Sequence, residues 1–289
     1  MHIVLGATGH IGSAVAETLL ENQEPVTIVT RSRDKAAIWE QKGAHVAVAD
    51  VSDVEALWKI LDNGQTLFLV NPPAAPNTDT VAEELKTAHY ILQALEGSTI
   101  EKVVAISTYG AQQGDNIADL GVLYEMEHQL ARLDVPADVI RCAYYMSNWD
   151  TALESVMQEG KLYTFLPKAL KLPMVAPQDI GRFAARLMMQ QHENSGLYNF
   201  EGPERYSPED VAQAFGKALN KPVEVIEIPR EERVSSLISL GFLPKSAESF
   251  SNMTDITIEQ DFGLDVEPVR GLTTISDYVQ LLVNQHIKS

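Results

Sequence analysis

The sequence predicts an α/β protein: a doubly wound parallel sheet followed by a smaller, mainly helical C-terminal lobe. Three observations carry that expectation. Short apolar runs alternate with helix-length amphipathic stretches through the first half of the 289 residues. A glycine-rich segment, Gly6-Ala7-Thr8-Gly9-His10-Ile11-Gly12, lies directly between the first apolar run and the first helix. The alternation then stops near Asn148, where Pro167, Pro173 and Pro177 break the rhythm.

Taken in order, His2–Gly6 reads as a strand and Ile11–Asn22 as a helix. Val26–Thr30 and Arg33–Lys42 repeat the pair, as do His45–Ala49 and Asp53–Leu61. Thr66–Asn71 is a strand and Thr78–Glu96 a long helix. Lys102–Ser107 is a strand, Ile117–Leu133 contains a helix, and Ala137–Cys142 is a sixth strand. Strands this apolar, each followed by a helix, are covered on both faces, as in a parallel sheet of the Rossmann kind. Beyond Asn148, Ile180–Gln191 and Pro208–Leu219 read as helices and Pro222–Ile228 as a strand. Helices follow near Glu232–Leu240, Ser246–Gln260 and Thr274–His286. The division is expected at residue 148. Residues 1–148 would form the nucleotide-binding part and 149–289 a substrate or partner lobe, with 196–202 a candidate to return to the main sheet.

Composition narrows the class. Hydrophobic residues make up 45% and charged residues 21%, as in ordinary soluble globular proteins. No apolar run approaches the ~20 residues of a membrane span. The first strand begins at His2, leaving no room for a signal peptide, and the single cysteine, Cys142, has no internal partner. A cytoplasmic location is therefore expected. A net charge of −18 argues against nucleic-acid binding. It repels an anionic dinucleotide too, so such a ligand would need local cations and helix N-termini. No set of His, Cys and carboxylates has metal-ligand spacing, and the pairs Glu83-Glu84 and Glu231-Glu232 read as solvated helix faces.

Glycine spacing in this strand–turn–helix context points to a nicotinamide dinucleotide. Gly6 permits the tight turn, Gly9 lets the backbone approach a pyrophosphate, and Gly12 lets helix and strand pack closely. The helix then offers unpaired N–H groups to the phosphates. Thr8, His10 and Ile11 belong to the same cradle, His10 through its backbone rather than its imidazole.

An NAD-type site would end the second strand with Asp or Glu. Thr30-Arg31-Ser32-Arg33 stands there instead, which favours NADP(H), since a guanidinium suits a 2′-phosphate. NAD(H) is the alternative, because an arginine also stacks on adenine, and both arginines also read as solvated loop cations. Asp50, ending the third strand, either takes the adenine amino group or is a turn residue ahead of the next helix. Val51 is grouped with it. Asn71 at the end of the fourth strand, and Ser107 and Thr108 at the end of the fifth, are expected to face the cofactor.

With these residues in view, the chain resembles the NmrA-like family, an atypical branch of the short-chain dehydrogenase/reductase superfamily. The likeness rests on Gly6 to Gly12 and Thr30-Arg31-Ser32, then on Ile106-Ser107-Thr108-Tyr109-Gly110-Ala111 and Arg141-Cys142-Ala143-Tyr144-Tyr145-Met146-Ser147-Asn148. Pro177-Gln178-Asp179-Ile180-Gly181 and Tyr198-Asn199-Phe200-Glu201-Gly202-Pro203-Glu204 extend it along the chain. The resemblance implies NADP(H) and a C-terminal lobe closing a cleft over the nicotinamide. It embraces quinone- and isoflavone-type reductases as well as redox-sensing regulators.

The wider superfamily uses a tyrosine with a lysine four residues later. The matching segment here is Tyr124-Glu125-Met126-Glu127-His128, so histidine replaces the lysine. The i, i+4 spacing puts Tyr124 and His128 on one helix face. A neutral imidazole lowers a phenol's pKa far less than an ammonium does, which weighs against alcohol or ketone chemistry and against a sugar-nucleotide epimerase or dehydratase. Quinone reduction is less demanding, because its product anion is already stabilised. Tyr109, Tyr144, Tyr145 and Trp149 are candidates to line the acceptor pocket, with core packing as the alternative. The expected activity is NADPH-dependent hydride transfer to a small flat acceptor such as a quinone or enone. The alternative is a non-catalytic NADP(H) sensor that addresses a protein partner or works as a homodimer.

Overall fold

The computed structural model describes residues 1–190, 195–260 and 267–288. The first half contains β1 (His2–Val4), α1 (His10–Glu21), β2 (Val26–Thr30), α2 (Arg33–Gln41), β3 (His45–Val48) and α3 (Val54–Leu61). It continues with β4 (Thr66–Leu69), α4 (Thr80–Leu95), β5 (Lys102–Thr108), α5 (Asp119–Leu130) and β6 (Ala137–Cys142). After β7 (Tyr144–Tyr145) and a 3-10 turn (Met146–Ala152) come α6 (Leu153–Glu159), β8 (Lys161–Thr164), β9 (Leu172–Val175) and α7 (Pro177–Met189). Then follow β10 (Gly196–Glu201), β11 (Arg205–Tyr206), α8 (Pro208–Leu219), β12 (Glu224–Glu227) and α9 (Arg230–Ser239). The last elements are α10 (Pro244–Glu259), β13 (Val269–Arg270) and α11 (Ile275–Lys288).

The main sheet runs β3-β2-β1-β4-β5-β6-β10-β13, with every neighbouring pair parallel. The order reverses between β1 and β4, which opens a crevice at their carboxyl ends. β5 is buried from Lys102 to Ser107, as a strand covered on both faces must be. One face packs against α1 and α7 through Val15, Leu19, Ile180 and Ala184. The other packs against α3, α4 and α5 through Leu57, Ile91 and Met126. A separate core joins Met146, Trp149, Leu172, Phe215 and Val279 in the C-terminal half.

That half holds more strand than the sequence suggests. β8 pairs with β12, and β9 lies between β11 and β7. At two to four residues each, these strands are too short to show an alternating pattern. α7 starts at Pro177, ahead of the expected Ile180; proline suits the first helical position, where its missing N–H has no bond to make. The expected end of that helix, Gln191, lies outside the described residues. Residues 196–201 pair with β6 from Gly196↔Asp138 to Phe200↔Cys142, so the chain returns to the main sheet, and β13 extends it by one more strand.

Candidate functional site: the crevice at the carboxyl ends of β1 to β6

The glycine turn leaves β1 with Gly6 at φ +67 and closes through the Gly9 N–H donating to the Gly6 carbonyl at 2.9 Å. A Cβ on Gly12 would stand 2.3 Å from the Gly6 oxygen, so only glycine lets α1 lie this close to the turn. A Cβ on Gly9 would meet nothing nearer than 3.4 Å, so that flank is open. Gly9 caps α1 without a side-chain bond, and the first turn holds no acidic residue. The N-terminal N–H groups and positive dipole end therefore face the crevice without a capping side chain. Thr8, Gly9 and His10 are exposed, whereas Ile11 anchors the helix in the core.

Arg31, Ser32 and Arg33 leave β2 at the rim, with Arg31 exposed and its Nη1 3.9 Å from Asp50 Oδ2. Asp50 accepts the Ser52 N–H at 2.9 Å and the Ser52 hydroxyl at 2.8 Å. Those bonds, with a smaller share from Arg31, hold its carboxyl below the usual range. Asp50 is thus a turn residue, and Asp53 is the cap of α3, accepting the Ala56 N–H. Val51 is half-buried at the edge of the α3–α4 core.

Past β4, the Asn71 side chain donates from Nδ2 to the Glu84 carbonyl at 3.1 Å. Its Oδ1 is buried with no hydrogen-bond partner among the described residues. The Glu84 carboxylate accepts the Ala74 N–H at 2.9 Å and is hydrogen-bonded to Asp119 at the start of α5. Burial, then the Asp119 charge, raises Glu84 to about 7; burial raises Asp119 as well. Expecting Glu83-Glu84 to be a solvated pair is therefore half wrong. Glu84 shares the buried face of α4 with Ala88, Ile91 and Leu95, and only Glu83 is exposed. The 3.6-residue period marks that face in the sequence.

Ser107 is fully buried, and its hydroxyl donates to Glu127, whose carboxylate also holds Arg141 through Nε at 2.9 Å and Nη2 at 2.6 Å. That hydroxyl locks α5 to β5 and β6. Thr108 is half-buried beside it. Two expected pocket residues prove to be core residues. Tyr109 is 8% exposed, its phenol pushed up by burial and the neighbouring Glu201 carboxylate. Trp149 is 4% exposed within the lobe core. Large rings gain more from complete burial than from lining an open cleft. Tyr144 and Tyr145 are half-buried, and burial pushes Tyr144 up to about 12.

On α5, the Tyr124 and His128 rings meet at 4.0 Å between centroids with their planes tilted by 36°, as the spacing implies. His128 Nδ1 lies 3.0 Å from the Tyr124 carbonyl, which it meets as a donor, and the residue is exposed. His10, expected to contribute backbone alone, also has a side-chain contact, its Nε2 3.7 Å from Asp150 Oδ2. Asp150 in turn accepts the Tyr278 hydroxyl at 2.9 Å. No local motif marks Asp150 or Tyr278; they meet through the fold alone.

The family model for the NmrA-like family matches residues 2–279. The chain belongs to the NmrA-like family. Among its curated relatives is an NAD(P)H azoreductase of Xenophilus azovorans, 21% identical, covering 88% of this chain and 86% of its own. Another is quinone oxidoreductase 2 of Escherichia coli, 21% identical over 91% and 87%. The fold matches a Citrobacter sp. triphenylmethane reductase complexed with NADP(H), with a TM-score of 0.80 at 18% identity over 97% of this chain and 99% of that one. It also matches the Escherichia coli NADPH-dependent quinone oxidoreductase complexed with NADPH, with a TM-score of 0.78 at 19% identity over the whole of both chains. No described helix of this NmrA-like chain is long and apolar enough to cross a membrane.

Proposed function

We propose that the chain binds NADP(H) across the carboxyl ends of β1, β2 and β4 and reduces a small, flat acceptor such as a quinone or an enone. The observation that carries this reading is the uncapped N-terminus of α1, opposite an open glycine flank, on a molecule of net charge −18. Asn71 fits the same ligand, since a buried carboxamide oxygen without a donor suits a ribose hydroxyl. Arg31 suits the 2′-phosphate. The relatives named as an NAD(P)H azoreductase and a quinone oxidoreductase, and the neighbours solved with NADP(H) or NADPH, support the same chemistry.

When bound, the reduced nicotinamide supplies hydride. The chain's own residues bind and shield. The α1 N–H groups hold the pyrophosphate and Arg31 orients the adenosine end. Tyr144 and Tyr145 reduce water access, and Glu84 with Asp119 keeps a proton at the crevice wall. Histidine in place of lysine at position 128 leaves the Tyr124 phenol without an ammonium to acidify it, which favours acceptors whose reduced form is a stabilised anion.

NADPH oxidation followed across a panel of quinones and enones, alongside calorimetric NADPH uptake, tests this. Uptake with turnover of at least one acceptor is expected; uptake without any turnover would remove the oxidoreductase reading.

His128 supports a second reading. Its Nδ1 is engaged by the Tyr124 carbonyl and its ring is exposed, as in a protein that binds NADP(H) to report redox state to a protein partner or a second copy. Equal partner affinity in the NADP+, NADPH and cofactor-free forms would exclude it.

A further inference from the structure

We propose that the imidazole of His10 contacts the cofactor's phosphates as a cation, and that Asp150 and Tyr278 are the positioning residues that hold it there. The inference rests on the dinucleotide reading above and deepens it.

His10 is the first residue of α1. Helical side chains lean toward the N-terminus, so its ring lies beside the opening onto which the first-turn N–H groups converge. The ring is 62% exposed. Gly6 to Gly12 contains no lysine or arginine, so this imidazole is the one side chain of the turn able to carry positive charge. Its Nε2 stands 3.7 Å from Asp150 in the 3-10 turn after β7. Asp150 is itself fixed, because the Tyr278 hydroxyl from α11 donates to its two oxygens at 2.9 and 3.2 Å. Among the described residues, the titratable group that meets the ring is Asp150, with Tyr278 behind it. Three distant stretches of chain thus meet at the phosphate turn.

Beside a neutral imidazole, Asp150 would only add negative charge next to the phosphates. Beside an imidazolium it stabilises the cation and orients it. Protonation of His10 and cofactor uptake then favour each other.

The test is NADPH affinity by calorimetry at pH 6 and pH 8 for the wild type, His10→Gln, Asp150→Asn and Tyr278→Phe. Thermal unfolding would establish that each variant is folded. From pH 6 to pH 8 the wild-type Kd should weaken several-fold more than that of His10→Gln, the change expected when a ligand raises a histidine pKa by about one unit. His10→Gln should lose that dependence, and Asp150→Asn and Tyr278→Phe should lose much of it. The 2′-phosphate titrates alike in all four proteins and cancels in the comparison. NMR titration of the His10 ring gives a second readout. NADPH should move its midpoint upward in the wild type, and less in Asp150→Asn and Tyr278→Phe. Equal pH dependence in the wild type and His10→Gln, or a ring midpoint indifferent to both Asp150→Asn and Tyr278→Phe, overturns the proposal. Wild-type uptake with the same pH dependence as His10→Gln sinks this proposal alone, whereas no uptake at either pH sinks the dinucleotide reading with it.

Discussion

Glu84 on α4 and Asp119 at the head of α5 form a hydrogen-bonded carboxyl pair, and both are raised above the usual carboxylate range. Two carboxylates cannot both ionise cheaply at this separation, so the pair holds a proton that the unfolded chain would release. The folded state therefore binds more protons between the reference value of 4.5 and about 7. The stability this contributes is complete below the unfolded pKa and is lost as pH rises through the folded one. Glu84→Gln keeps both hydrogen bonds and removes one titration. Relative to the wild type it should gain on the order of 2 kcal/mol between pH 5 and pH 8. Urea unfolding at the two pH values reads this directly, and parallel curves would show that the pair does not share a proton.

The two inner glycines of the first turn should respond differently. Gly12→Ala drives a Cβ into the Gly6 backbone, with a cost of about 1–3 kcal/mol in folding stability. Gly9→Ala has ordinary extended backbone and an open flank, so it should fold normally. Its methyl group instead occupies the approach to the pyrophosphate, and NADPH affinity should fall. Denaturation midpoints and calorimetric Kd values, measured together, separate the two effects.

Arg31→Ala should leave stability within about 0.5 kcal/mol, as expected of an exposed side chain. It should weaken NADPH binding by about 1.5–3 kcal/mol while sparing NADH. Equal losses for the two dinucleotides would mean that Arg31 contacts something other than the 2′-phosphate.

Ala118 caps α5 at φ +44 and ψ −131, a conformation that disfavours any side chain, and its N–H donates to the buried Ser249 hydroxyl at 2.8 Å. Ala118→Gly should therefore raise the melting temperature, by about 1 kcal/mol of stability. Ser249→Ala should lower stability by about 1–3 kcal/mol, because it strands a buried donor. A destabilised Ala118→Gly would show that the backbone there is unstrained.

The sheet and the glycine turn were legible because both rest on local rules: strand-length apolar runs, and glycines at fixed offsets before a helix. The position of Arg31 at the end of β2 follows from the same local pattern. Other residues depend on long-range neighbours. Ser107 ends β5 where the sequence places it, yet nothing local says that Glu127 and Arg141 will consume its hydroxyl. Tyr109 and Trp149 sit in the right segments but turn inward, since burial of an aromatic ring is decided by packing from α-helices remote in sequence. Helical period places Glu84 on the buried face of α4, although its charge suggests solvent. Asp150 and Tyr278, 128 positions apart, carried no readable signal.

The return of the chain to its own sheet has a consequence for biosynthesis. β6 is complete once Cys142 has been made, but its outer neighbour, β10, ends only at Glu201, and β13 later still. On the ribosome, the hydrogen-bonding edge of β6 waits unpaired for several dozen residues of further synthesis. During that interval the nascent protein presents an adhesive strand edge. Chaperone occupancy, or cohesion between neighbouring nascent chains, should concentrate in that window and vanish once the seventh strand has docked.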